Sequence, residues 1–185
     1  MKTIKHDSSG LFQNEAAYFQ HYQGQLTTSE QIDLQQLEGK NIVIIGIDQH
    51  IVSQLHQICA VAKSVQVFQL TQPQWVLPKT ANIVQSLIYH PLVEKNRHLF
   101  SQRIKSLVAL RFLEREILNP WLKRQLTPNL ASTKKKFLKS DHYYHALQSE
   151  NCQFNTWPIK SITHFQIADL QGNTYHADQI ITTFK

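Results

Sequence analysis

Residues 40–71, KNIVIIGIDQHIVSQLHQICAVAKSVQVFQLT, constrain the fold of this chain more than any other stretch. Ile42–Ile45 is a continuous β-branched run, which is typical of a parallel strand buried on both faces. Gly46 ends that run, and Val65–Phe68 forms a second β-rich run. Between them, apolar residues recur at helical spacing and predict one apolar helix face: Ile51, Val52, Leu55, Ile58, Cys59 and Ala62. The stretch therefore predicts a strand–helix–strand unit.

The first turn of this unit, Gly46–His50, is predicted to lie at the carboxyl edge of a parallel sheet, where α/β folds bind ligands. A dinucleotide-binding turn carries the fingerprint G-x-G-x-x-G. Here Gly46 supplies the first glycine, while Asp48 and Ile51 stand at the second and third positions. The scaffold is strongly indicated and the ligand fingerprint is incomplete.

The remaining segments predict an α/β fold, a Rossmann-like and mainly parallel sheet with Ile42–Ile45 at its centre. Residues 1–39 are interpreted as a lead-in and surface connection, and residues 40–185 as the domain. A helical insertion is expected at about 81–126, and a small antiparallel hairpin excursion at Ile159–His176. The individual elements expected are helices at Ala81–His90, Glu94–Leu118, Trp121–Leu126 and Asp141–Gln148, strands at Cys152–Thr156 and Gln179–Thr182, and a turn at Gln171–Asn173.

Composition narrows the possible partners and compartments. The net charge is +6, but only 17% of the 185 residues are charged, so nucleic acid is not the expected partner. A weak nucleic-acid contact through Lys134–Lys136 and Lys139 is the alternative to a solvated loop at Thr133–Lys139. No run reaches the roughly 18 apolar residues of a membrane span, and the N-terminus lacks the apolar region of a signal peptide. We expect a cytoplasmic protein without membrane contact.

The potential metal and disulfide residues show no site pattern. Cys59 lies on the apolar helix face and Cys152 opens a predicted strand, so both are expected to be core thiols in a reducing compartment. The ten histidines never adopt the spacing of a zinc motif, and no metal site is predicted.

Four stretches together carry a family resemblance. Leu126–Leu147 is similar to an L-T-P-[DN] loop, a lysine–arginine pair and an S-[DN]-x-Y-Y-x-A-L helix, in the same order and spacing. Gly39–Gly46 resembles the strand G-K-[RN]-V-x-V-I-G, and Val67–Pro78 resembles V-F-Q-R-T-P-x-W-V-x-P with one residue shifted. Asn151–Asp178 resembles the segment that leads to the last strand. These are motifs of the NADPH-binding half of class B flavin-dependent monooxygenases, the Baeyer–Villiger and flavin-containing monooxygenases.

The resemblance implies two interleaved Rossmann-like domains, one for FAD and one for NADPH. In such enzymes NADPH reduces the flavin, which then uses O₂ to oxygenate a ketone or a soft heteroatom. This chain matches the NADP part alone, so FAD is expected on a separate chain or domain that would be its partner. The residues expected to hold NADPH by this resemblance are Gly46, Gln69, Thr71, Lys135 and Lys136.

The departures from the family pattern fall on positions that face the cofactor. Besides Asp48 and Ile51, Leu70 replaces the family's arginine, and Thr28 stands at the histidine of F-x-G-x-x-x-H. The closing A-T-G motif falls on Thr183–Lys185 and lacks its glycine. Two hypotheses remain open: an NADPH-binding component that works with a FAD-bearing chain, or an inactive interaction module that binds no dinucleotide. No catalytic residue is assigned.

Overall fold

The computed structural model describes residues 19–69, 71–79, 97–132 and 135–184, with the backbone alone for 97–101. Its centre is a five-stranded sheet, all parallel, in the order β1-β10-β2-β3-β6. The strands, numbered in chain order, are β1 (Gln25–Thr28), β2 (Asn41–Ile45), β3 (Ser64–Phe68), β6 (Cys152–Asn155) and β10 (Gln179–Thr182). The predicted fold class is confirmed, and the run that begins at Ile42 is the central strand.

Helix α1 (Gln49–Val61) joins β2 to β3 and covers one face of the sheet. The apolar helix face predicted from the sequence is buried, with Ile51, Leu55 and Ile58 fully inaccessible to solvent. They pack in one apolar cluster with Ile42 and Ile44, because alternate residues of a strand point to the same face. The strand–helix–strand unit is therefore held by its own core.

The helical insertion contributes to the same side of the sheet. It contains α2 (Arg97–Glu116) and α3 (Pro120–Leu126), which correspond to the helices predicted at Glu94–Leu118 and Trp121–Leu126. The predicted helix at Ala81–His90 lies outside the described residues. The insertion is flanked by a two-stranded parallel sheet of β4 (Trp75–Leu77) and β5 (Phe137–Lys139), after which comes the short helix α4 (Tyr143–Ala146).

The opposite face of the main sheet is covered by an antiparallel sheet. Its strands are β7 (Ile159–Thr163), β8 (Gln166–Asp169) and β9 (Thr174–His176), so the predicted excursion at Ile159–His176 is confirmed. The β8–β9 turn contains Gly172 at φ 90°, a backbone conformation that favours glycine. Ile162 and Ile167 pack against Val43 in a second apolar cluster, which explains why the central strand is apolar on both faces.

The sequence predicts no strand at β1, β4 or β5. The segment Thr27–Gly39 was predicted to be a surface connection, but its first residues belong to β1, the edge strand that pairs with β10. Thr133–Lys139 was interpreted as a charged loop, but its last three residues form β5. These strands have only three or four residues, and their pairing depends on neighbours distant in sequence rather than on local pattern. The predicted helix Asp141–Gln148 is also shorter than expected, at Tyr143–Ala146.

The side chains predicted to be core are buried. Cys59 and Cys152 are free thiols, each 8% exposed. Tyr143 and Tyr144 pack in the main apolar cluster with Phe112 and Leu113 of α2. Phe112 and Leu113 of α2 thus pack inside the domain, while Leu107 on the same helix is 62% exposed. Among the described residues, no helix has the length and apolar character needed to cross a bilayer.

Candidate dinucleotide-binding site

Three adjacent strands end at the same edge of the sheet and bring three turns together. Thr28 of β1, Thr182 of β10 and Ile45 of β2 stand at matching positions in the parallel register. The residues that follow them, Ser29 and Gly46 among them, therefore meet at the carboxyl edge. This is the edge at which open α/β sheets bind their ligands.

Gly46 occupies a position that excludes any other residue. Its φ is 91°, and a Cβ atom added there would collide with the Thr183 side chain, which follows β10. Its amide donates a hydrogen bond to the Phe68 carbonyl at 2.9 Å, which ties the turn to β3. The first glycine of the fingerprint is thus required by the fold, and the Thr183 side chain fills the space beside it.

Asp48, at the second glycine position, is the N-cap of α1. One carboxylate oxygen accepts a hydrogen bond from the Ile51 amide at 2.9 Å, and the other accepts a short one from the Ser29 hydroxyl. Ser29 is 3% exposed. A carboxylate at this point satisfies free amides of the first helical turn and interacts favourably with the helix dipole. In a dinucleotide fold the pyrophosphate takes that place.

Ile51, at the third glycine position, is completely buried in the main apolar cluster. A glycine there lets helix and strand approach closely. Here the space between α1 and the sheet contains an isoleucine side chain instead, so the helix is packed for a hydrophobic contact rather than for close approach.

The end of β3 is where the resemblance places the residues nearest the 2′-phosphate of NADPH. The Gln69 side chain is 5% exposed and its amide donates to the Thr71 carbonyl at 3.0 Å. The Gln69 backbone amide donates to the Asn155 carbonyl of β6 at 2.9 Å. Thr71 is exposed, and Leu70 lies outside the described residues. Gln69 thus stabilises its own loop, while the Thr71 hydroxyl faces solvent.

Lys135 and Lys136, the two basic residues expected at the site, differ in their environment. The Lys135 ammonium donates to the Ser106 hydroxyl of α2 at 3.1 Å and lies 4.6 Å from the centre of the Trp75 ring. Lys136 is exposed. Within the described part of the chain, no hydrogen bond joins Lys135 to Gln69 or Thr71. The lysine is held by the insertion and by β4.

Gln49 supplies a contact at this edge that the sequence did not indicate. Its side-chain amide donates to the Lys139 carbonyl and accepts from the Lys139 amide, both at 2.9 Å. This pair of bonds attaches β5 to the first turn of α1. No local sequence signal could have found it, because the two residues are 90 positions apart.

Tyr22–Gly24, the segment that aligns with F-x-G at the start of the family's F-x-G-x-x-x-H motif, lies at the opposite edge of the sheet. The Tyr22 hydroxyl donates to the Ala177 carbonyl at 3.0 Å, and burial together with nearby Asp178 raises the Tyr22 pKa far above its ordinary value. A Cβ atom on Gly24 would collide with the Tyr22 ring. Burial also acts to raise the Asp178 pKa, but hydrogen bonds from Asn41 at 2.8 Å outweigh it and the pKa is lowered. These residues anchor the strands at their amino ends.

The described residues contain no group of three or more histidine, cysteine, aspartate or glutamate side chains arranged to hold a metal ion. The candidate site is the carboxyl edge of the sheet, where Gly46 retains the first glycine of a dinucleotide-binding turn. At this edge Asp48 caps α1, and the Lys135 ammonium contacts the Ser106 hydroxyl and the Trp75 ring.

Comparisons with known proteins agree with this geometry. No family model matches the chain. A Baeyer-Villiger monooxygenase of Pseudomonas aeruginosa is 28% identical over 185 residues, which is 88% of this chain and 35% of that protein. The FAD-binding monooxygenase ktnD of Aspergillus niger is 25% identical over 167 residues, which is 77% of this chain and 27% of that protein. The chain spans about a third or less of the length of these relatives.

Solved structures of monooxygenases share the fold. An oxidized steroid monooxygenase bound to NADP superposes with a TM-score of 0.65 at 16% identity, over 89% of this chain and 42% of its own. A cyclohexanone-bound cyclohexanone monooxygenase gives 0.67 at 14% identity, over 89% and 43%. The resemblance to flavin-dependent monooxygenases that the motifs predicted is confirmed.

Proposed function

We propose that this chain is the NADP-domain part of a flavin-dependent monooxygenase system, with its own dinucleotide site closed. In this proposal it binds NADPH weakly or not at all and contributes framework and contacts rather than redox chemistry. The observation that carries the proposal is the Asp48 carboxylate, which accepts hydrogen bonds from the Ile51 amide and the Ser29 hydroxyl. The chain's own anion takes the place of the pyrophosphate.

The energetic cost of binding a phosphate beside Asp48 is large enough to weaken NADPH binding by about a hundredfold or more. A unit negative charge about 5 Å from a phosphate charge costs about 3 kcal/mol at an effective dielectric constant of about 20. If the carboxylate swings away instead, it gives up hydrogen bonds to a charged group, each contributing about 1.5–3 kcal/mol. With a loss of about 3 kcal/mol or more by either route, a micromolar site, about −8 kcal/mol, would fall to about 0.1 mM or weaker.

The basic residues compensate only in part. Sequence alone places Leu70 at the family's arginine, so the charge-assisted contact that this arginine makes is missing. Lys135 would have to leave the Ser106 hydroxyl and the Trp75 ring before it reached a nucleotide phosphate. A cation–π contact of this kind is worth about 0.5–2 kcal/mol. Lys136 is exposed and could approach a phosphate without first giving up contacts of this kind.

A FAD-bearing chain or domain is the partner that this proposal requires. The sequence has one fingerprint-like turn, at Gly46, and its phosphate position does not fit a dinucleotide. We therefore expect the purified chain to be colourless. A yellow preparation with about one equivalent of bound flavin would contradict the proposal.

Calorimetric titration with NADPH tests the closure of the site. We expect no binding by the unmodified chain below about 100 μM, as the energies above imply. Asp48→Gly removes the charge and should strengthen binding about 10- to 100-fold. The cap itself loses little, but the Ser29 hydroxyl loses its acceptor, so urea unfolding checks that the variant is folded. Asp48→Asn keeps a side chain that can accept from Ile51 and should give a smaller gain. Asn119→Gly, which alters the cap of α3 instead, is the matched control and should give none.

The stepwise variants separate closure by Asp48 from a deeper loss of the site. Adding Leu70→Arg to Asp48→Gly should improve binding further, and adding Ile51→Gly tests whether helix packing is the remaining obstacle. Tight binding by the unmodified chain would refute the proposal. A folded triple variant that still binds no NADPH would show that Asp48 is not what closes the site.

A further inference from the structure

Two histidines from different helices face each other on the surface, away from the candidate dinucleotide site. The ring centres of His56 on α1 and His142 at the start of α4 are 5.1 Å apart, with an angle of 37° between the ring planes. Both residues are exposed. In the described part of the chain neither ring makes a hydrogen bond, so their nitrogens are available to a ligand.

The backbone that carries the two rings is fixed by the core beneath them. His56 follows Leu55, which is fully buried, in the middle of α1. The His142 amide donates to the Ser140 hydroxyl at 3.2 Å, and its carbonyl accepts from the Ala146 amide at 2.9 Å. The helices α1 and α4 share the main apolar cluster. The points on the backbone from which the two rings extend are therefore held at a fixed separation.

That separation suits a shared metal ion. Zinc binds imidazole nitrogen at about 2.0–2.1 Å with tetrahedral angles, which places the centres of two coordinating rings about 5 Å apart. Stacked rings without a metal ion reach similar distances, so a metal titration is needed to distinguish metal binding from stacking alone. Imidazole is a preferred ligand of zinc, copper and nickel.

We propose that His56 and His142 form a two-histidine surface site for a divalent transition-metal ion, with water completing the coordination. Two histidines supply fewer protein ligands than a structural zinc site needs, and the described residues contain no group of three or more such ligands. The site is accordingly an exchangeable one, and Cu²⁺ should bind more tightly than Zn²⁺. It does not depend on whether the chain binds NADPH.

The test uses the full chain without a histidine tag, titrated with Zn²⁺ by calorimetry and with Cu²⁺ by electron paramagnetic resonance. We expect one equivalent of Cu²⁺ with a spectrum that shows two coordinating imidazole nitrogens. His56→Ala and His142→Ala should each weaken binding about 100-fold, because each leaves a single ligand in place of a linked pair. His145→Ala, an exposed histidine on α4, is the matched control and should bind as the unmodified chain does.

Several results would overturn the proposal. One is the absence of stoichiometric binding, and another is unchanged affinity in both single variants. An equal loss in His145→Ala would show that the metal associates with surface histidines without regard to the pair. Urea unfolding of all three variants checks that they are folded. Exposed substitutions of this kind should leave the urea midpoint close to that of the unmodified chain.

Discussion

Replacing Asp48 by alanine is expected to destabilise the fold far more than an ordinary helix cap would. The substitution removes the cap of α1, which costs about 0.5–2 kcal/mol. It also leaves the buried Ser29 hydroxyl without its acceptor, which costs about 1–3 kcal/mol. Together these give about 1.5–5 kcal/mol, a large fraction of the roughly 5–15 kcal/mol typical of a domain.

The assay is urea unfolding followed by tryptophan fluorescence and circular dichroism. Asn119→Ala is the matched control, because the Asn119 side chain caps α3 by accepting from the Trp121 and Leu122 amides at an exposed site. It should cost about 1 kcal/mol. The double variant Ser29→Ala/Asp48→Ala should be less destabilised than the sum of the single variants, because no hydroxyl is then left unpaired. If Asp48→Ala costs no more than Asn119→Ala and shows no coupling to Ser29, the reasoning is wrong.

Two further substitutions test other parts of the structure. Burial acts to raise the Asp169 pKa, but hydrogen bonds from Asn173 and Tyr175 outweigh it and lower the pKa. The carboxylate therefore stabilises the fold above its unfolded-state pKa, and this is lost as the pH falls through the lowered value. Unfolding free energies from about pH 6 to pH 2 should depend less steeply on pH in Asp169→Asn. Gly24→Ala should lower stability by about 1–3 kcal/mol in urea unfolding, because the added methyl collides with the Tyr22 ring; an unchanged midpoint would contradict this.

Much of the fold could be predicted because its central unit is marked by local periodicity. The β-branched run at Ile42–Ile45 and the apolar face of α1 can each be recognised from a few consecutive residues. Both are buried in the structure, as predicted. The edge strand β1 and the short β5 could not be found in this way. Each has only three or four residues, too few to show a periodic pattern, and each becomes a strand only through pairing with β10 or β4.

In the candidate site, too, local features could be predicted from the sequence, while contacts between residues distant in sequence could not. The missing glycine at Asp48 could be read from the fingerprint, and with it the presence of a negative charge near the phosphate position. Its hydrogen bond to Ser29 could not, because that partner lies 19 residues earlier and reaches the site only when β1 joins the sheet. The contacts of Lys135 with Ser106 and Trp75 likewise depend on how the insertion packs.

The most direct test of the central claim follows the backbone amides of Gly46–Ile51 in ¹H–¹⁵N spectra while NADPH is added to the unmodified chain. If Asp48 closes the phosphate position, these resonances should shift at most slightly and without approaching saturation at NADPH concentrations up to about 100 μM. In Asp48→Gly they should shift progressively, since the amides of the first helical turn become free to bind phosphate. Saturable shifts of these amides in the unmodified chain at low micromolar NADPH would contradict the account.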